Sequence, residues 1–294
     1  MSQYQSILNK FLNNTSVGVH LAQTGRIIIL LVFLLSMFGS APIRVQAAVI
    51  TFTADELLGK PTDTSITINI VPDATIEYYY EYGTSQGGPY TDETSPVVVT
   101  GGEPHEVVIT GLSPNTRYYY RMIYDGDGDV NDGDYEVRDE HTFHTQRDPG
   151  RTFVFTITAD PHARWNDRYQ QAMINILNDL PDFHLDLGDT FMTDGTTSQS
   201  QVDNAYLAHR NPLYLDRIGP SVPIFLATGN HENEEGWNFD DTPFSIALAS
   251  LQARKAYYPT PITDGFYSGN DDPLAAIDEA IYGDEFREDY YAWE

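Results

Sequence analysis

The stretch PIFLATGNHENEE, residues 223–235, joins an apolar run directly to a group of polar side chains. Residues 224–227 are suited to a buried β-strand. Asn230, His231 and Glu232 follow almost at once, so an amide, an imidazole and a carboxylate stand side by side after the strand. Ligands of α/β proteins bind outside the carboxyl ends of strands, so this stretch indicates a functional site in an α/β fold.

Strand and helix patterns alternate in the sequence around this stretch. TFVFTITAD (152–160) and FHLDLGD (183–189) have strand patterns, and DRYQQAMINILNDL (167–180) between them has apolar residues at helical spacing. A weaker helical pattern covers 201–215, and 242–258 is a further helix candidate. This alternation predicts a mainly parallel sheet with the site at the carboxyl ends of its strands.

Each of the three predicted strands ends in side chains that can bind a metal ion. The first is followed by Asp160 and His162, the second by Asp189 and the third by Asn230. Because the ends of parallel strands lie side by side, these four residues can converge, and their oxygen and nitrogen donors suit Zn, Mn or Fe. Asp189 can use both carboxylate oxygens to bridge two ions. We therefore predict a two-metal site with these four ligands.

Two metal ions of this kind would bind phosphate oxygens, neutralise charge and make hydroxide accessible near neutral pH. His231 lies one residue beyond a predicted ligand, where it can donate a proton to the leaving-group oxygen as a general acid. Glu232 is predicted to orient that imidazole. His184, inside the second strand, is predicted to lie at the edge of the core and not at the metal site.

The blocks ADPH (159–162), LGDT (187–190) and TGNHE (228–232) resemble the first three signature blocks of the calcineurin-like metallophosphoesterases. The resemblance implies a binuclear site that holds divalent or trivalent iron, manganese or zinc, with a phosphate ester as the substrate. Purple acid phosphatases of this kind have a tyrosine ligand three positions past the aspartate. Met192 stands there in this chain, so a tyrosinate–iron chromophore is not expected.

Family members also complete the metal site with later histidines, including a final G-H-x-H block. This sequence has no histidine after His231. We therefore expect residues 149–294 to be the N-terminal part of a metallophosphoesterase domain in a C-terminally incomplete chain. Such a fragment is expected to bind metal weakly and to be inactive or nearly so.

Residues 49–148 have the pattern of short strands. SITINI (65–70) and TIEYYYEYG (75–83) alternate in polarity, and further strand-like segments follow at spacings of roughly 8–12 residues, which predicts an antiparallel sandwich. GLSPNTRYYY (111–120) resembles the tyrosine corner of fibronectin type III domains, in which a turn delivers a tyrosine hydroxyl back to the backbone. The whole segment is similar to the N-terminal domain of purple acid phosphatases.

The first 48 residues contain three basic residues, no acidic residue and an almost continuous apolar run at 27–38. That run is shorter than the ~20 residues that cross a bilayer, and Val45-Gln46-Ala47 before Ala48 is a small-residue cleavage pattern. We predict a signal peptide at 1–48 and a secreted protein, extracellular or periplasmic, with no stable membrane association after cleavage. An uncleaved N-terminal anchor is the alternative.

The formal net charge of −27 becomes −30 without the three basic residues of the predicted signal. Phosphate contacts need Lys and Arg, so this charge argues against nucleic-acid binding. The chain has no cysteine, which excludes disulfides, thiolate metal sites and a cysteine nucleophile. The sequence does not define an oligomeric state.

The segment DGDGDVNDGDYE (125–136) has acidic residues at positions 1, 3, 5 and 12 of an EF-hand-like loop: Asp125, Asp127, Asp129 and Glu136. Val130 stands where the sharp turn of such a loop favours glycine. The segment is either a calcium site or an acidic, solvated loop between two strands.

Together these patterns predict an all-β, fibronectin III-like sandwich followed by a truncated α/β metallophosphoesterase domain. The predicted function is that of an exported metal-dependent phosphomonoesterase that uses metal-bound hydroxide. The alternatives are a phosphodiesterase or nucleotidase with the same site, and a non-catalytic surface binding protein.

Overall fold

The computed structural model describes residues 50–126, 135–162, 167–232, 244–269 and 291–293. All of them belong to one compact unit, Val49–Glu294. The predicted signal peptide therefore lies outside the described residues. None of the helices in the described part of the chain is long and apolar enough to cross a membrane.

The N-terminal region is built from two antiparallel sheets, as the strand patterns predict. Strands β1, β2 and β6 form the first sheet. The second has the order β4-β3-β7-β8, and β5 and β9 pair with β3 and β7. The strands are β1 (Phe52–Gly59), β2 (Ser65–Pro72), β3 (Ile76–Gly83), β4 (Asp92–Glu93), β5 (Val97–Val99), β6 (His105–Thr110), β7 (Arg117–Asp125), β8 (Glu136–Val137) and β9 (His141–His144).

The core of this region comes from alternate residues of the two sheets. Ile66, Ile68 and Ile70 of β2 are almost completely buried, and they share one hydrophobic cluster with Tyr78 and Tyr80 of β3. Successive side chains of a strand point to opposite faces, so the alternation in the sequence places these residues in the core. The sheet-rich fold predicted for this region is confirmed.

The Tyr118 hydroxyl accepts a hydrogen bond from the Ser113 backbone N–H at 2.9 Å, and its ring stacks on Phe143. We expect Tyr118→Phe to lower the free energy of unfolding by about 1 kcal/mol, because the Ser113 N–H loses its acceptor. Urea unfolding would measure the loss. Tyr119→Phe, on the opposite face of the same strand, is the control, and equal losses in both variants would contradict a specific role for the Tyr118 hydroxyl.

The following region alternates strands and helices. Strands β10 (Phe155–Thr158), β11 (Phe183–Asp186) and β12 (Ile224–Leu226) form a parallel sheet in that order. The helices are α1 (Asp167–Asp179), α2 (Gln199–Leu207), α3 (Leu215–Ile218) and α4 (Ile246–Tyr257). The predicted α/β architecture is thus confirmed, with all three strands in the predicted places.

The helix predicted at 201–215 is two helices instead of one. Helix α2 ends at Leu207 and α3 begins at Leu215. Pro212 lies between them, and a proline lacks the backbone N–H and sterically disfavours a helical residue before it. The break brings His209 and Arg210 into the interior, where they are 4% and 1% exposed.

Arg210 joins the sheet-rich region to the α/β region. Its Nε donates to Asp216 Oδ1 at 2.6 Å, and its Nη1 donates to Asn69 Oδ1 on β2 at 2.8 Å. In the same zone, the Tyr120 hydroxyl donates to the Pro220 carbonyl at 2.8 Å. Strand β2 is therefore buried on both faces, with isoleucines toward the sandwich core and Asn69 toward the α/β region.

Candidate metal centre

The loops that follow the three parallel strands are tied together by their backbones. The Asp160 N–H donates to the Gly188 carbonyl at 3.0 Å, and the His162 N–H donates to the Asp189 carbonyl at 3.1 Å. From the third loop, the His231 N–H donates to Asp189 Oδ1 at 2.9 Å. Asp189 therefore lies in the centre of the three strand ends, as expected for the middle strand.

Three of the predicted ligands have a left-handed backbone. The φ angles are 57° at Asp160, 43° at His162 and 54° at Asp189. Such angles are uncommon for residues other than glycine, and they are concentrated at functional sites. Glycines allow the close approach of the loops, since a Cβ on Gly188 would collide with the backbone nitrogen of Gly229.

This backbone brings donor atoms together. His162 Nε2 lies 2.5 Å from Asp160 Oδ1 and 3.7 Å from Asp189 Oδ2. One donor atom each from His162, Asp189 and His231 lie within 4.8 Å of one another. Asn230 is exposed in the same loop as His231. The structure thus gathers Asp160, His162, Asp189 and His231, whereas the ligand role of Asn230 stays a prediction.

The donor chemistry of this cluster fits a transition-metal ion. Carboxylate oxygens and imidazole nitrogens are the ligand types that Zn, Mn and Fe take, and the cluster supplies both from converging loops. The Asp160 and Asp189 side chains differ in exposure, 67% against 16%, so the cluster opens to solvent on the Asp160 side. A substrate can therefore approach from that side.

The His231 imidazole has a carboxylate partner. Its Nδ1 shares a hydrogen bond with Asp194 Oδ2, and this bond raises the pKa of His231 above its ordinary value. The ring of His231 lies edge-on to that of His162, with the centroids 4.9 Å apart. Asp194 is not predicted from the sequence, because nothing in the residues around Asp194 indicates that this loop folds back onto His231.

Glu232 has a different role from the predicted one. It is 1% exposed, and its two carboxylate oxygens accept four backbone N–H groups. The donors, at 2.8 to 2.9 Å, are Asp189, Thr190, Phe191 and Gly229. The carboxylate is thus engaged by the backbone of two strand-end loops, and Asp194 is the residue that holds the imidazole.

Asp186 supports the same loop from the strand side. Its carboxylate accepts the Thr190 hydroxyl at 2.7 Å and the Gly188 N–H at 3.0 Å. Complete burial raises its pKa to about 7. Asp186 and Glu232 together fix residues 188–191, which contain the predicted bridging ligand.

His184 lies in the core, away from the cluster. Its ring nitrogens bond to the hydroxyls of Thr156 at 2.9 Å and Thr158 at 3.0 Å. Burial lowers its pKa to about 4. The contribution of His184 to stability is therefore full above about pH 6.5 and is lost as the pH falls toward 4, because the unfolded chain takes up the proton first.

We expect this loss to be about 3 kcal/mol, since one pKa unit corresponds to about 1.4 kcal/mol. Chemical unfolding of the protein and of His184→Asn at pH values from 7 to 4 would measure it. Subtracting the two curves removes the groups common to both proteins, including His209. The stability difference should shrink by that amount as the pH falls, and parallel curves would contradict the account.

The calcium prediction lies partly outside the described residues, because Asp127 and Asp129 are not among them. Asp125 is buried at the end of β7, and Glu136 is exposed in β8. The calcium site therefore stays a prediction.

The two antiparallel sheets, the parallel sheet and its strand-end donors define a sheet-rich region followed by an α/β metallophosphoesterase-like region. Residues 57–145 match the family model described as Purple acid Phosphatase, N-terminal domain. Residues 153–286 match the Calcineurin-like phosphoesterase model. The family resemblance predicted from the strand-end blocks is confirmed.

Solved structures include similar chains. One is purple acid phosphatase PPD1 isolated from yellow lupin (Lupinus luteus) seeds, with a TM-score of 0.51 and 16% identity over 74% of this chain and 42% of that one. Another is PhoD, with a TM-score of 0.47 and 16% identity over 69% of this chain and 44% of that one. This chain thus spans less than half the length of either. A search of curated proteins gave no match.

Proposed function

We propose that this chain belongs to an exported, metal-dependent hydrolase of phosphate monoesters. The observation that carries the proposal is the convergence of Asp160, His162 and Asp189 at the strand ends on a left-handed backbone. This convergence lies within the residues that match the calcineurin-like phosphoesterases. With Asn230, these residues would hold two metal ions. Bound there, the ions would supply positive charge to the phosphate and increase the acidity of water.

The residues of the chain have distinct tasks in this proposal. Asp189 is the shared ligand at the centre of the three loops, and its backbone is fixed by Glu232. His231 donates a proton to the leaving-group oxygen, because the bond to Asp194 favours the protonated imidazole. Asp194 holds the ring in the orientation for that transfer.

Hydrolysis of nitrophenyl phosphate and of its bis ester, by the complete protein loaded with Mn or Zn, tests the reaction class. A monoesterase should prefer the first substrate, whose phosphate enters as a dianion. A preference for the bis ester would favour the phosphodiesterase alternative. If neither is hydrolysed although metal is bound, the non-catalytic alternative becomes the better account.

Export rests on the sequence of residues 1–48. N-terminal sequencing of the protein recovered outside the cytoplasm would test it, and a mature chain that begins directly after the small-residue pattern, at Ala48 or Val49, is the expected result. A chain that keeps its first residues and sediments with membranes would support the anchor alternative instead.

A further inference from the structure

A cleft of about 430 Å³ lies between the loop that follows Asp189 and helix α2. This volume is in the range of small-molecule pockets. Asp194 lines the cleft and also bonds to His231, so the cleft begins beside the proposed acid. The alcohol part of a phosphate ester bound at the metal centre would leave toward His231, and the cleft lies next to it.

Two buried polar side chains line this cleft. His209 is 4% exposed and Tyr214 is 2% exposed, with their rings 5.5 Å apart. Within the described part of the chain, the His209 Nδ1 and the Tyr214 hydroxyl have no hydrogen-bond partner. Buried polar groups are nearly always paired, so a group that reaches the closed end of the cleft would satisfy these two atoms.

The described side chains that line the cleft carry no positive charge near pH 7, which disfavours a second phosphate and favours a neutral ligand. Among the described residues that line the cleft, none is Lys or Arg, and burial lowers the pKa of His209 to about 4, so its ring is neutral near pH 7. A second phosphate would therefore find no cation. The Gln201 amide N–H groups, the Asn204 amide and the Thr196 hydroxyl oxygen instead offer donors and acceptors for neutral hydroxyl groups. Gln201 Oε1 already accepts from Thr197, and the Thr196 O–H donates to the Thr193 carbonyl.

A cationic ligand is less well matched than a neutral one. Asp194 is the one carboxylate among the described lining residues, and it is already bonded to His231. Met192, Ala205 and Ala208 add apolar contact surface of the kind that the C–H groups of a sugar can cover.

We propose that this cleft binds the alcohol part of the phosphate ester, and that this alcohol is a neutral polyhydroxylated group such as a sugar or a sugar alcohol. The inference rests on the proposed function, because the cleft receives an alcohol group only if a phosphate ester binds at the metal centre. His209 and Tyr214 are the residues that determine specificity: they pair with hydroxyl groups at the closed end of the cleft, and Asn204 contacts the ligand at the exposed end.

The test is an NMR titration of the isotope-labelled, metal-free protein with four probes: glucitol, glucose, choline and inositol hexakisphosphate. We expect saturable shifts of the ring resonances of His209 and Tyr214 with the two neutral probes. Tyr214→Phe and Asn204→Ala should each weaken that binding roughly tenfold, the value of one hydrogen bond. Tyr135→Phe, which removes an exposed hydroxyl in the sheet-rich region, is the matched control and should bind as the unmodified protein does.

The inference is overturned if neither neutral probe gives saturable shifts at these rings, if Tyr214→Phe and Asn204→Ala bind as tightly as the control, or if only choline or the polyanion binds. Asn204 is exposed on α2, so its variant tests the cleft even if Tyr214→Phe fails to fold. Because no metal is present, binding without any hydrolysis by the loaded protein would overturn the proposed function alone. Hydrolysis without binding would overturn the cleft assignment alone.

Discussion

Asp189→Ala in the complete protein should remove bound metal and reduce phosphate ester hydrolysis by more than the roughly 10²–10⁴-fold expected from losing one acid–base group. Asp189 Oδ2 faces His162 at 3.7 Å, and Oδ1 accepts the His231 N–H at 2.9 Å. Alanine removes both interactions at the centre of the cluster. Metal analysis after dialysis, together with steady-state kinetics, would measure the two losses.

Asp189→Asn is the matched control for this variant. The amide oxygen can still accept the His231 N–H, so the loop should keep its conformation while the charge on the ligand is lost. We expect Asn to retain the folded state and to bind metal far more weakly than Asp. Unchanged metal content in both variants would contradict the assignment of Asp189 as a ligand.

His231→Ala in the same protein distinguishes two possible roles of His231, general acid and metal ligand. As a general acid, His231 can be lost with the metals retained and with turnover slowed by roughly 10²–10⁴-fold. The His231 ring also lies close enough to Asp189 and His162 to bind the same metal ion, so a role as a ligand is the alternative. Metal loss equal to that of Asp189→Ala would show that His231 is a ligand and not the acid.

Glu232→Ala should lower the free energy of unfolding by at least about 4 kcal/mol, because four backbone N–H groups lose a charged acceptor. Glu232→Gln should also be destabilising, since one amide oxygen can serve only two of the four donors. Urea or thermal unfolding of the metal-free protein would measure both effects without any contribution from bound metal.

Asp194→Asn is the contrasting change. The Asp194 side chain is half exposed, so its loss should alter stability little while weakening its hold on the His231 ring. If Asp194→Asn destabilised the fold and Glu232→Ala did not, the roles assigned to the two carboxylates would be reversed.

The sequence predicted the parts of this site that depend on local pattern. The apolar strands, the glycines after them and the donors at their ends are contiguous in the sequence, so the parallel sheet places Asp160, His162 and Asp189 together. The break between α2 and α3 also has a local cause, because Pro212 lies between the two helices. The spacing of the apolar residues alone predicts one continuous helix there, and Pro212 interrupts it.

The remaining features depend on contacts between distant segments. Asp194 reaches His231 only because residues 188–196 fold over the third strand end. Glu232 is buried only because four N–H groups from two loops converge on it, and a carboxylate beside a histidine equally suggests an orienting role. Arg210 would be placed at the surface by its charge, and its buried pairing with Asp216 and Asn69 depends on the packing of two regions.

A crystal of the protein grown with Mn²⁺ or Zn²⁺, with anomalous scattering recorded at the absorption edge of the metal, would show whether the strand ends hold a metal ion. We expect a peak at the ends of β10 and β11, within ligand distance of Asp189 and His162, about 2.0–2.2 Å for zinc. An ordered cluster without an anomalous peak, or a peak only at another place in the chain, would show that these residues do not form the metal centre.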